Sequence, residues 1–170
     1  MDIDDPSFPA VYGRIYDPIL DWTIDAVTAH SSDEACFPDA ICGLKSSPLR
    51  TVAIVVYFNN VLERDNLDGW ILEGHERLGT FVTTAFREVG ADRHVVLIEG
   101  LYRKYPFLAP AAAPQLGKWD AFIDRVVYPG VAGTQEAADV AEFIDSYFGL
   151  FEELAKCLVR YIHEHLDETL

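Results

Sequence analysis

The sequence contains no run of about 18 consecutive apolar residues, so no segment has the length and polarity of a membrane-spanning helix. Cysteine is scarce: Cys36, Cys42 and Cys157 make an odd number and show no Cys-x-x-Cys spacing. That count excludes a disulfide framework and a clustered zinc site, and predicts three reduced thiols acting as small buried or semi-buried residues. Basic residues are scarce as well, with 13 Lys and Arg against 28 Asp and Glu, a net charge of -15. A field of that sign repels nucleic acid and argues against direct nucleic-acid binding. The sequence also lacks a Gly-x-Ser-x-Gly elbow, a phosphate-cradling Gly-rich loop and a His-Glu-x-x-His pair. No catalytic residue, metal or cofactor is therefore expected. The opening Met1-Asp2-Ile3-Asp4-Asp5 has neither the basic segment nor the apolar stretch of a secretory signal, which predicts a cytoplasmic protein with no membrane partner.

What is present is an uneven distribution of charge. Residues 1–45 carry nine acids against Arg14 and Lys45, and residues 131–170 carry nine against Lys156 and Arg160. The stretch between them, 46–130, is nearly neutral, with ten acids and nine bases. Half of the chain is apolar, enough to build a core, so the charge belongs on the surface of a folded protein and favours encounter with basic partners. A chain of 170 residues suits one domain.

Helical periodicity runs through most of that length. Val140, Phe143, Ile144, Tyr147, Phe148, Phe151, Leu154, Leu158 and Ile162 recur at three- and four-residue steps, with Thr134 placed to cap the start and Gly149 to kink or divide the stripe. Leu78, Phe81, Val82, Ala85, Phe86 and Val89 form a second stripe that Gly90 ends. Asp92 is expected to cap a third helix, stopped by Pro106. Asp17-Pro18 and Ser47-Pro48 each read as an N-cap followed by a first-turn proline. The second of these opens Leu49 to Leu62, which is apolar on nearly all sides and predicts a buried central helix in preference to a strand. Trp119, Phe122, Ile123 and Val126 mark a short helix beyond the Pro/Ala-rich connection. The expected architecture is a single all-α domain over 1–170, a bundle of about six or seven helices, with 1–16 extended or irregular.

Polar clusters offer little chemistry. His163-Glu164-His165 cannot grip one ion, because positions two apart on a helix point away from each other. Asp65, Asp68, Glu73 and Glu76 fit no calcium loop and read as solvated acids. Asn66 and Asp68 suit a tight turn ending at Gly69, with Trp70 buried behind it, an architectural motif.

The run from Val61 to Trp70, with Asn66-Leu67-Asp68-Gly69-Trp70 at its end, and the later Thr84-Ala85-Phe86-Arg87-Glu88-Val89-Gly90-Ala91-Asp92-Arg93 resemble the bacterial acidic DNA-mimic protein family, an all-helical domain formerly of unknown function. Members usually show Asn-Asn-Gly-Gly-Phe at the first position; here Gly69 and an aromatic, Trp70, are kept. The likeness spans roughly 48–165 and implies a helical fold and an acidic face that competes with DNA for a basic protein.

Acids three or four apart on a helix lie about 5–6 Å from each other, near the spacing of successive phosphates. The expected function is thus a non-enzymatic interaction protein occupying the DNA-binding face of a basic partner such as a transcriptional regulator. Asp21, Asp25, Glu136, Asp139, Glu142 and Asp145 are the expected contact carboxylates, and a symmetric homodimer would double the patch. Immunity to a basic nuclease toxin would use the same surface, and an enzyme with a helical cleft is the third alternative.

Overall fold

The structure, a computed structural model, describes residues 19–29, 36–109, 116–128, 130 and 133–166. Every described element is helical. Helix α1 covers residues 19–28, followed by α2 (Phe37–Gly43), α3 (Ser47–Glu73), α4 (His75–Glu88), α5 (Asp92–Lys104), a 3-10 turn (Pro106–Leu108), α6 (Leu116–Val127), α7 (Gln135–Phe148) and α8 (Phe151–Leu166). The expected irregular segment 1–16 and the Asp17-Pro18 cap lie outside the described residues.

Among the described residues there are eight α-helices, against the expected six or seven. The additional one is α2, where Pro38 in the first turn and Asp39 beside it repeat the start signal used elsewhere in the chain. Gly149 divides the C-terminal stripe, so that α7 and α8 share one apolar seam around a two-residue break.

Helix α3 organises the packing. Residues 51–59 are all buried, including both faces of the helix, so no amphipathic arrangement suits it. It is covered by α2, α4, α6, α7 and α8. Phe58 holds the centre: its ring meets Trp70 edge-on at 4.7 Å, Phe86 at 5.6 Å and Tyr147 at 5.9 Å. Edge-to-face contacts of this kind add about 0.5–1.5 kcal/mol each beyond the area they bury. The buried apolar side chains of α1 through α8 join one cluster.

Two helix starts fall one residue from their expected places. Ser46, not Ser47, caps α3, its Oγ accepting from the Leu49 N–H at 3.4 Å. Ala91, with no side-chain cap, precedes α5, and Asp92 is the first helical residue, where its charge still suits the helix dipole. The Gly90 reading holds in detail. Gly90 has φ 81°, its N–H donates to Arg87 O at 3.0 Å, and the Ala91 N–H donates to Phe86 O at 2.8 Å, the paired bonds of a Schellman cap.

The Asn66–Gly69 segment is not a loop turn. The helix continues through it with a kink at Asn66, whose φ of 57° and ψ of -161° fall in a region that normally requires glycine. The apolar spacing of Leu67, Trp70 and Ile71 keeps the second half on the core, which is why the chain bends there instead of leaving the helix. The bend has a visible consequence. Residues nine apart on a straight helix point about 180° apart, yet the Arg64 guanidinium donates to both Glu73 carboxylate oxygens, at 2.8 and 2.7 Å.

Trp70 is 1% exposed, as expected. A Cβ on Gly74 would lie 2.4 Å from its ring, and one on Gly69 would lie 2.3 Å from the Cβ of Asp65. Both glycines are therefore required by close approach. The cysteine expectation needs correcting: Cys157 is buried, but Cys36 and Cys42 are exposed on α2, where the Cys36 Sγ reaches the Asp39 carboxylate at 3.0 Å. No helix among the described residues is long and apolar enough to cross a membrane.

Trp70→Ala is expected to cost about 3–5 kcal/mol, the range for a core tryptophan. Asn66→Gly should instead stabilise the fold, by roughly 1 kcal/mol, because it relieves backbone strain at the kink. Urea unfolding of both variants reads the two effects, which have opposite signs. A destabilised Asn66→Gly would mean that the side chain, not the backbone, holds the bend.

Candidate interaction surface

The helix-forming pattern of α7 sets its geometry. Val140, Phe143 and Tyr147 turn inward, which leaves the acids between them at positions whose burial depends on the neighbouring helices. Thr134 caps the start as expected: its Oγ accepts from the Ala137 N–H at 3.1 Å and donates to Arg125 O at 2.6 Å, tying α7 to α6.

The first two acids of the row are not open to a partner. Glu136 is bound by Arg125 across the α6–α7 contact at 2.7 Å, and that guanidinium lowers its pKa. Asp139 is buried, against the expectation of an exposed phosphate-like charge. Its Oδ1 takes the Lys104 ammonium at 2.6 Å and the Gln135 amide at 2.8 Å, while Oδ2 accepts from the Tyr105 hydroxyl at 2.5 Å. Lys104 and then Tyr105 hold the carboxyl down at about 2, and the Tyr105 phenol is raised by burial first and by Asp139 second. Asp139 fastens the C-terminal end of α5 to α7. The reason is positional: α7 crosses the end of α5 at that turn, and an acid there meets the last-turn cations of α5.

Glu142 and Asp145, one and two turns farther along, are exposed and form no ion pair with the described residues. Asp21 and Asp25 on α1 are likewise exposed. Elsewhere the cations are largely committed. Arg64 holds Asp65 and Glu73, Arg77 reaches Asp39 at 3.4 Å, Arg87 holds Glu99, Arg93 holds Glu153 at 2.9 Å and Lys156 holds Glu152 at 3.0 Å. Six of the nine bases of the near-neutral middle, Arg64, Arg77, Arg87, Arg93, Lys104 and Arg125, are thus held in internal pairs, and the back half of α7 keeps its negative charge.

Asn66, Asp68, Gly69 and Trp70 form the kink of α3, as described above. Asp68 is half-buried, and burial raises its pKa. Of the carboxylates grouped with it in the sequence, Asp65 and Glu73 are taken by Arg64. No group of three or more potential metal ligands converges among the described residues.

The sequence establishes no acid or nucleophile partner for one histidine, and the structure gives it a place in the core instead. His94, on α5, is fully buried and meets the Tyr147 ring edge-on at 4.9 Å and the Phe86 ring at 5.7 Å. The Tyr147 backbone approaches it, but neither ring nitrogen forms a hydrogen bond of normal geometry. Burial lowers its pKa to about 4, partly offset by Glu153. The signal available in the sequence was its position directly before Val95, inside the apolar stripe of α5. No protein-family model, curated protein or solved structure matches this chain.

Two titrations should shape the acid limb of stability. The unfolded chain protonates His94 near its ordinary 6.5 and the folded chain near 4, so stability is full above pH 6.5 and falls as pH drops from 6.5 to 4. Asp139 acts in the next window, its contribution present above 3.8 and lost as pH falls towards 2. Urea unfolding at stepped pH should show a slope approaching about 1.4 kcal/mol per pH unit in the first window. His94→Gln should flatten that window alone, and Asp139→Asn the lower one. An unchanged slope in His94→Gln would show that the imidazole is already protonated in its site.

Proposed function

We propose that this chain is a non-enzymatic interaction protein of the acidic DNA-mimic kind, a single-domain cytoplasmic protein whose charged face occupies the DNA-binding surface of a basic partner. The observation that carries the reading is the position of Asp145. It lies in the last turn of α7, where the helix carbonyls already concentrate negative charge, and that turn contains no basic residue. An acid there costs about 0.3–1 kcal/mol relative to a neutral residue. Glu142, one turn earlier on the same side of the helix, adds like-charge repulsion instead of relief. Charge kept at a cost to local stability is placed for something outside the fold.

Simple solubility would be served as well by acids at helix N-termini, where they also stabilise. A row intended for a basic surface needs uncompensated carboxylates at helical spacing, and Glu142 and Asp145 meet that requirement, with Asp21 and Asp25 on α1 adding to the same net field. Glu136 and Asp139 contribute rigidity: their pairs with Arg125 and Lys104 hold α7 in place so that the open carboxylates keep fixed spacing. Charge steers the encounter and sets selectivity, and competition with DNA is the output.

The test separates stability from binding. Glu142→Lys/Asp145→Lys should unfold at slightly higher urea than the parent, while retention of a basic DNA-binding protein from source lysate is lost. Raising salt from about 50 to about 500 mM shortens the Debye length from about 14 Å to about 4 Å and should release the partner from the parent chain. Added duplex DNA should release it too. A captured partner indifferent to the double variant, to salt and to DNA would refute the reading. Asp139→Lys is unsuitable for this purpose, because it would place a cation against Lys104 and disrupt the α5–α7 contact.

A further inference from the structure

Helices α5 and α7 run antiparallel, and their outer edges enclose an open groove in two adjoining parts that meet at Leu97 and Ser146. On α5 the groove follows Arg93, Val96, Leu97, Gly100 and Lys104, a stripe at three- and four-residue steps about 16 Å long. Leu97 is half-buried in the floor, and Val96 beside it is 62% exposed, so the groove presents an apolar side chain at its edge. Small residues, Gly100, Ser146 and Gly149, line both sides and leave room for a backbone to approach closely.

The charge at the groove decides what it suits. The two cations on its lining are already committed, Arg93 to Glu153 and Lys104 to Asp139. The uncommitted charge differs between the two sides: Glu142 lines the groove from α7, with Asp145 less than one turn beyond, whereas on α5 the exposed Arg103 guanidinium comes to 4.0 Å from a Cβ built on Gly100. A trough with an apolar floor, small walls, a length of about three helical turns and one negative rim is complementary to an amphipathic helix with a basic flank.

We propose that the α5–α7 groove docks a basic amphipathic helix of the partner, the apolar face of that helix covering Val96 and Leu97 and its Lys or Arg side chains meeting Glu142 and Asp145. This rests on the reading of α7 as the contact face and adds the class of structure that it recognises.

The probe is a synthetic helical peptide of about fourteen residues, with leucines at i, i+3, i+4 and i+7 and lysines on the flanks. Its controls are a scrambled peptide of the same composition and a version with Glu for Lys. Titration by calorimetry and by amide chemical shifts should show the patterned peptide binding at least about tenfold more tightly than the scramble, with shifts at Val96, Leu97 and Ser146. Ser146→Trp, which fills the groove from an exposed position, and Val96→Lys should each weaken binding about tenfold or more while unfolding at the parental midpoint. Glu142→Lys/Asp145→Lys should weaken it in a salt-dependent way.

Equal binding of the scramble, or of the patterned peptide to both groove variants, overturns the docking proposal and leaves the charged face intact. Equal binding of the glutamate peptide, with the charge-reversed variant silent, overturns the electrostatic reading beneath it. A parental dimer in sedimentation that Ser146→Trp dissociates would make a second copy the occupant, and the proposal would fall.

Discussion

A helix apolar on every side cannot sit at a surface, and the presence of one in α3 constrains everything around it. Residues 51–59 must be covered on both faces, which α2, α4, α6, α7 and α8 do together. The closest part of that packing is aromatic: Phe58 touches Trp70, Phe86 and Tyr147, and Tyr147 in turn touches His94. One ring from α3 thereby meets α4 and α7 and, through the Asn66 kink, the end of its own helix. The kink is part of the same solution, since a straight α3 would carry Trp70 along the helix axis and away from Phe58. Strain at Asn66 is tolerated because the burial of Trp70, worth several kcal/mol, exceeds it.

The outer layer inherits its geometry from that core. Because α7 must present Val140, Phe143 and Tyr147 inward, its acids are distributed by the helical repeat, not by their chemistry. Those that fall against α5 and α6 acquire partners, and Asp139 becomes a fastening between helices. Those that fall beyond, Glu142 and Asp145, remain open beside a groove whose floor is apolar. Like residue types in one short row thus take two different roles, structural at one end and available at the other, according to which neighbour each one meets.

Much of this was legible in the chain. The all-α class, the buried nature of α3, the Gly90 cap, the Thr134 cap and the division at Gly149 follow from local rules: apolar period, side-chain capping and the conformational range of glycine. The errors were also local. Ser46 and Ser47 are chemically equivalent caps one residue apart, and only the start of α3 distinguishes them. The short α2 offered a proline and an aspartate but too few residues for a clear period. At Asn66 the sequence offers turn-forming residues, but the apolar spacing of Leu67, Trp70 and Ile71 outweighs them and keeps the chain helical, with a kink where a turn is expected.

The sequence by itself determined the sign and segregation of the charge, the helical class and the identity of the core helix, because composition and periodicity are properties of the chain. Tertiary structure alone decided which acids are available. Burial of Asp139 depends on Lys104, Tyr105 and Gln135 arriving at one point, and Glu142 and Asp145 stay open because no cation among the described residues pairs with them. The same holds for His94, whose pKa is lowered by burial beneath rings from two other helices. Those outcomes rest on distances between residues far apart in the chain, which no local pattern encodes.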